Sequence, residues 1–154
     1  MTRILFVCLG NICRSPLVEA VAREEFARAG VAAEFASAGT GDYHVGHAAD
    51  PRTIASAAAH GYDVSAHRAR QLDVADFAHF DAVLGMDQAN LRNIQAVCPA
   101  QYASRTGLFL AYAGVAAPLD VPDPYFGGAD GFERVIELAR AGVHGLIARC
   151  ANDA

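Results

Sequence analysis

Cys8 and Arg14 stand five intervening residues apart, within Arg3-Ile4-Leu5-Phe6-Val7-Cys8-Leu9-Gly10-Asn11-Ile12-Cys13-Arg14-Ser15-Pro16. These types at this spacing suit one chemistry, the binding of a phosphate-like anion and its attack by sulfur. A guanidinium presents a planar fork that matches two phosphate oxygens, which a lysine ammonium does not. Backbone N–H groups in a tight loop that runs into a helix N-terminus form a cradle for the same anion. The positive potential of such a cradle favours the thiolate, the nucleophilic form of cysteine. Cys8 is therefore the candidate nucleophile. Leu9, Gly10, Asn11, Ile12, Cys13, Arg14 and Ser15 are the candidate phosphate-binding residues. Asn11 tolerates the left-handed backbone that a tight anion loop needs. The spacing alone is weak, and the flanking strand, Gly10 and Ser15-Pro16 give it weight.

The elements around the loop must place it. Ile4 to Val7 form a short apolar run of the kind that makes a buried strand. Ser15 reads as a helix cap with Pro16 in the first turn. A helix follows over Val18–Ala29, stopped by Gly30. Glu34–Ser37 is a short strand candidate, followed by a loop over Gly39–His44 with an aromatic tip at Tyr43. Pro51–His60 is a helix opened by Asp50 and closed by Gly61. The stretch 63–72 is irregular, and Val74–Phe77 is a short helix. Asp81–Met86 is the next strand, and Asp87–Val97 the next helix, ended by Cys98-Pro99. Arg105–Leu110 holds the last strand, Pro118–Gly128 is a loop, Phe132–Ala148 is a long helix, and the tail 150–154 is frayed. Strands alternate with helices, which predicts an α/β fold: a doubly wound open parallel sheet of about four strands with helices on both faces. One domain spans residues 1–154. Ligands bind such sheets outside the carboxyl ends of the strands, where Cys8 lies.

Composition narrows the classes. With 53% hydrophobic and 19% charged residues in 154, the chain has material for a generous core. A net charge of −5 argues against nucleic acid as a partner and makes the anion site a local positive feature. No apolar run approaches a membrane span, and the N-terminus opens at once on a strand with no room for a signal peptide. The expected location is cytoplasmic, with no membrane partner and a monomeric state. Four cysteines, two of them in the reactive loop, suit a reducing compartment better than a disulfide framework. No cofactor or metal is expected, and His44 with His47 is the closest approach to a ligand pair. All twelve basic residues are Arg, for which the sequence offers no functional account.

Val7 to Pro16 resembles the signature of the low-molecular-weight protein tyrosine phosphatases. Asp123-Pro124-Tyr125 resembles that family's general-acid loop, and Ser37-Ala38-Gly39-Thr40 and Gly85-Met86-Asp87 resemble further stretches of it, in the expected order along nearly the whole chain. The resemblance implies hydrolysis of phosphotyrosine in protein substrates, and of aryl phosphates, through a cysteinyl-phosphate intermediate. Catalysis would rest on Cys8, Arg14 and Asp123. On residues alone Asp-Pro in a loop is a turn signal, and Asp120 and Asp130 compete for the acid role. The resemblance assigns the role to Asp123, stiffened by Pro122 and Pro124. It also places Asn11, Ser37 and His67 in a network that holds the loop, with Ser37 and His67 bonding the Asn11 amide. Ser15 would donate to the Cys8 sulfur as well as cap the helix. Tyr43 and Tyr125 wall the substrate entrance with His44 beside them, where some members carry Trp at the first position. Phe126 follows Tyr125, so the adjacent tyrosine pair of other members is not present. Cys13 is close enough to Cys8 to trap it reversibly after oxidation.

Two other readings fit parts of the pattern. An arsenate reductase on the same scaffold needs further redox cysteines, and Cys98 and Cys150 form no closely spaced pair. A non-catalytic phosphotyrosine-binding module would keep the loop and Arg14 without needing Cys8 or Asp123.

Overall fold

A computed structural model describes residues 1–125 and 127–152. Phe126 lies outside them, as do Asp153 and Ala154. Strands β1 (Thr2–Cys8), β2 (Ala33–Gly39), β3 (Ala82–Gly85) and β4 (Thr106–Leu108) form one parallel sheet in the order β2-β1-β3-β4. β1 is central, which explains its unbroken apolar run. Ile4, Phe6 and Cys8 face one core and Leu5 and Val7 the other, all essentially inaccessible. The first core is closed by α1 (Arg14–Ala29), α2 (Pro51–Ala59), α5 (Phe109–Tyr112) and α6 (Ala129–Asn152). The second is closed by α3 (Asp76–His79) and α4 (Gln88–Val97). Helices thus cover both faces, as the alternation of elements predicts.

Several boundaries differ from the sequence reading. α1 begins at Arg14 with Cys13 at the cap position, and no side chain caps it. Ser15 is therefore not the cap, because its hydroxyl is directed at the reactive loop. Gly30 does end the helix, at φ 70°, with Val31 N–H reaching the Phe26 carbonyl. α3 sits two residues later than expected, because Asp73 and its side chain form the preceding turn by accepting from Asp76 N and Ala75 N. The last strand is only Thr106–Leu108, since α5 follows it at once. A 3₁₀ segment at Ala100–Arg105 also went unread. α6 continues to Asn152, into the tail expected to fray, with Cys150 buried against the first core, while the last two positions of that tail lie outside the described residues. Gly142 and Gly145 let α6 approach α5. A Cβ on either would collide with the Phe109 ring or the Ala113 carbonyl.

Candidate active site

The loop from Cys8 to Arg14 leaves the carboxyl end of β1 and enters α1 at the same edge of the sheet. Asn11 has φ 56°, the left-handed turn its type permits. The end of β2 closes on the loop from beside. Thr40 N donates to Cys8 O and Gly41 N to Leu9 O, and a Cβ on Gly39 would stand 2.7 Å from Leu9 O. Glycine is therefore required at 39 for the strand to approach.

The protons of the network can be assigned from chemistry. Arg70 N–H can only donate, and it lies 3.0 Å from Asn11 Oδ1, so the amide orientation is fixed. Asn11 Nδ2 therefore donates to Ser15 Oγ (2.9 Å) and to Ser37 Oγ (3.0 Å). Ser37 directs its own hydrogen to Glu19 Oε1 at 2.7 Å. Ser15 Oγ is 3.0 Å from Cys8 Sγ and 3.5 Å from Ala38 O, so when Cys8 is a thiolate, which can only accept, the hydroxyl has the sulfur as its nearer acceptor. Asn11 N–H adds a second donor to that sulfur at 3.3 Å. The Asn11 backbone carbonyl accepts from His67 Nε2 at 2.7 Å, which places the ring proton on Nε2. Ser37 thus bonds the Asn11 amide as the resemblance implies. His67 does not: its partner is the backbone carbonyl, a contact that clamps the loop turn itself.

Arg14 is 3% exposed and is held from behind. Its Nη1 donates to Asp87 Oδ2 (2.6 Å) and to the Val121 carbonyl (3.0 Å), while Nη2 lies 3.6 Å from Asp123 Oδ2. Asp123 is partly exposed, and its Oδ1 accepts from Tyr125 N at 3.0 Å. That local turn points the other oxygen at the loop. Asp120 and Asp130 are not among the residues lining the pocket. Asp50 caps α2 by accepting from Arg52 N, and the Arg52 side chain beside it holds its carboxyl below the usual range. Arg52 also stacks on the rings of Tyr125 (5.5 Å) and Phe132 (4.9 Å), bracing the entrance tyrosine. Burial pushes the Cys13 thiol up to about 12, and neighbouring Asp50 adds to the effect.

A pocket of about 170 Å³ results, lined by Cys8, Leu9, Gly10, Ile12, Cys13 and Arg14 from the loop and by Tyr43, His44, Asp123 and Tyr125 around it. It brings together the candidate nucleophile, guanidinium, acid and entrance residues. Asn11, Ser15, Ser37 and His67 stand behind as support. Cys98 and Cys150 are not among its lining residues, and no group of three potential metal ligands occurs among the described residues. Sequence reasoning missed Asp87 as the anchor of Arg14 and Glu19 as the end of the serine network. Asp87 was read only as the start of a helix and as part of the stretch Gly85-Met86-Asp87, and it also caps that helix by accepting from Asn90 N at 2.7 Å. Its position directly beyond β3, at the carboxyl edge of the sheet, was the available signal.

Comparison with known proteins gives concordant matches. The family described as low molecular weight phosphotyrosine protein phosphatase matches residues 3–154. A low molecular weight protein-tyrosine-phosphatase of Streptomyces coelicolor is 46% identical over 151 residues, covering 95% of this chain and 92% of that one. A low molecular weight phosphotyrosine protein phosphatase of Schizosaccharomyces pombe is 47% identical over 133 residues, covering 84% and 85%. Among solved structures, a protein tyrosine phosphatase from Entamoeba histolytica with Hepes in its active site superposes with a TM-score of 0.94 at 35% identity, covering 99% of both chains.

Proposed function

The chain belongs to the low molecular weight phosphotyrosine protein phosphatase family, and from that premise we propose that Cys8, Arg14 and Asp123 carry out its hydrolysis of phosphotyrosine in protein substrates. The activity is that of a phosphoric monoester hydrolase acting through a cysteinyl-phosphate. The observation that carries the residue assignment is the sulfur of Cys8, which accepts from Asn11 N–H and lies 3.0 Å from the Ser15 hydroxyl in a pocket shared with Arg14 and Asp123.

In the first step Cys8 Sγ attacks phosphorus, the S–P bond forms and the P–O bond to the tyrosyl ring breaks. Asp123 gives its proton to the departing oxygen, which otherwise leaves as a phenolate with a conjugate acid pKa near 10. Arg14 and the loop amides take up the charge on the equatorial oxygens. In the second step water attacks phosphorus, Asp123 takes a water proton, and the S–P bond breaks to release inorganic phosphate. The departing sulfur carries its charge onto the Ser15 hydrogen bond. Because Asp87 and Val121 hold Nη1, the guanidinium plane is set before substrate arrives, so little reorganisation is needed. The charge to be neutralised is met by Arg14 and backbone dipoles, and no metal or cofactor enters this scheme.

Leu9, Ile12, Tyr43 and Tyr125 line the pocket with apolar surface, which supports a flat aryl phosphate over the shorter phosphoserine. We also propose a monomeric, cytoplasmic enzyme with neither nucleic acid nor membrane as partner. The net charge of −5 supports the lack of a nucleic-acid partner, and no helix among the described residues is long and apolar enough to cross a membrane. The test is Cys8→Ser, which is expected to stay folded and lose turnover of an aryl phosphate. Near-wild-type turnover by the folded variant would overturn the covalent scheme.

A further inference from the structure

A second groove of about 400 Å³ adjoins the phosphate pocket and shares Leu9 and Tyr43 with it. Its far side is built from Leu72 and Val74, ahead of α3, and from Asn93 and Val97 of α4. The surface chemistry there is unusual for an acidic protein. Among the described residues eight large hydrophobic side chains are exposed, and four of them, Leu9 (43%), Tyr43 (69%), Val74 (57%) and Val97 (51%), line this groove. α4 shows how it arises. Asn90 and Ile94 turn inward, while Asn93, Ala96 and Val97, at i, i+3 and i+4, form an outward strip without charge. Such convergence of exposed apolar groups marks a binding surface. The Asn93 side chain makes no hydrogen bond among the described residues, so its amide is available to a peptide backbone.

We propose that this groove takes an apolar side chain of the substrate polypeptide, close in sequence to the phosphotyrosine. The occupant follows from continuity. The wall between the two depressions is Leu9 and Tyr43, so a chain whose phosphotyrosine enters the pocket on one side of that wall lays its neighbouring residues on the other. The groove has apolar walls and an amide but no charged side chain, so it fits Leu, Ile, Val or Met rather than an acidic residue. The inference rests on the phosphatase reading above and names its preferred substrate class.

The experiment compares kcat/KM for a small aryl phosphate and for two phosphotyrosine peptides that differ only in carrying Leu or Ser at the positions flanking the phosphotyrosine. It uses the wild type, Val74→Asp and Val97→Asp. The wild type is expected to favour the Leu peptide by about tenfold, the scale of partial burial of one such side chain. Both substitutions should reduce that preference to near unity and leave aryl phosphate turnover unchanged. Equal use of the two peptides by the wild type, or a preference that survives both substitutions, overturns the proposal. So does a wild-type dimer in sedimentation that Val97→Asp dissociates, since the groove then belongs to a second copy. Loss of aryl phosphate turnover by the wild type itself would instead contradict the phosphatase reading.

Discussion

Ser15→Ala separates the two chemical steps. Its hydroxyl receives the Asn11 amide at 2.9 Å and lies 3.0 Å from Cys8 Sγ, to which it donates once the sulfur is anionic. The sulfur is negative when it leaves phosphorus in the second step, so that hydrogen bond is strongest there. A hydrogen bond to a charged partner contributes about 1.5–3 kcal/mol, and about 1.4 kcal/mol corresponds to a factor of ten in rate. Hydrolysis of the cysteinyl-phosphate should therefore slow by about 10- to 150-fold. Formation of that intermediate should slow much less, since a sulfur relieved of its donor is the better nucleophile. Rapid mixing with a nitrophenyl phosphate is expected to give a burst of nitrophenolate equal to the enzyme concentration, then a slow steady state. A kcat that falls with no burst would refute the reasoning, because the hydroxyl would then serve the first step or only the loop geometry. The variant also leaves one Asn11 amide hydrogen without its partner, so a denaturant midpoint should accompany the kinetics.

Three further outcomes are expected. Asp123→Asn should slow phosphorylation by phosphotyrosine by about 10² to 10⁴-fold but lose less with an activated nitrophenyl ester, as measured before steady state; equal losses would make Asp123 structural. The thiolate is the attacking form and the Cys13 thiol is pushed up to about 12, so its ionised fraction at neutral pH is minute and rises with pH. Closure of a Cys8–Cys13 disulfide after a peroxide pulse should then accelerate by about tenfold per pH unit between about pH 7 and 9 in a pH-jump with alkylation trapping, and a flat profile would remove Cys13 from that role. Gly145→Ala should destabilise the protein by about 1–3 kcal/mol in urea titration, since a Cβ there meets the Ala113 carbonyl of the α5 turn, while an unchanged midpoint would deny the close approach of α5 and α6.

The parts legible in the sequence were those encoded locally. The apolar run of β1, Gly30 as a left-handed helix stop and Asn11 at positive φ each follow from a residue's own conformational preference. The order of strands and helices then required a parallel sheet with Cys8 at its active edge. What escaped depends on residues distant in sequence. Asp87 reaches Arg14 across 73 positions, and Val121 O across 107. No local pattern distinguishes a carboxylate that caps a helix from one that also anchors a guanidinium with its second oxygen. Ser15 failed as a cap for the same reason: a local preference for capping lost to the claim of the Cys8 sulfur and a buried amide. His67 was assigned the wrong acceptor, because only the fold puts the loop carbonyl, rather than the side-chain amide, within its reach.

The central claim is that the phosphoryl group passes through Cys8. Asp123→Ala enzyme mixed with a phosphotyrosine peptide and quenched in acid should carry one phosphoryl group, and peptide mapping by mass spectrometry should place it on Cys8. Cys8→Ser on the same background should show no thiophosphate. A phosphoryl group mapped to another residue, or peptide dephosphorylated in a single turnover with no labelled enzyme at any time, would contradict the account.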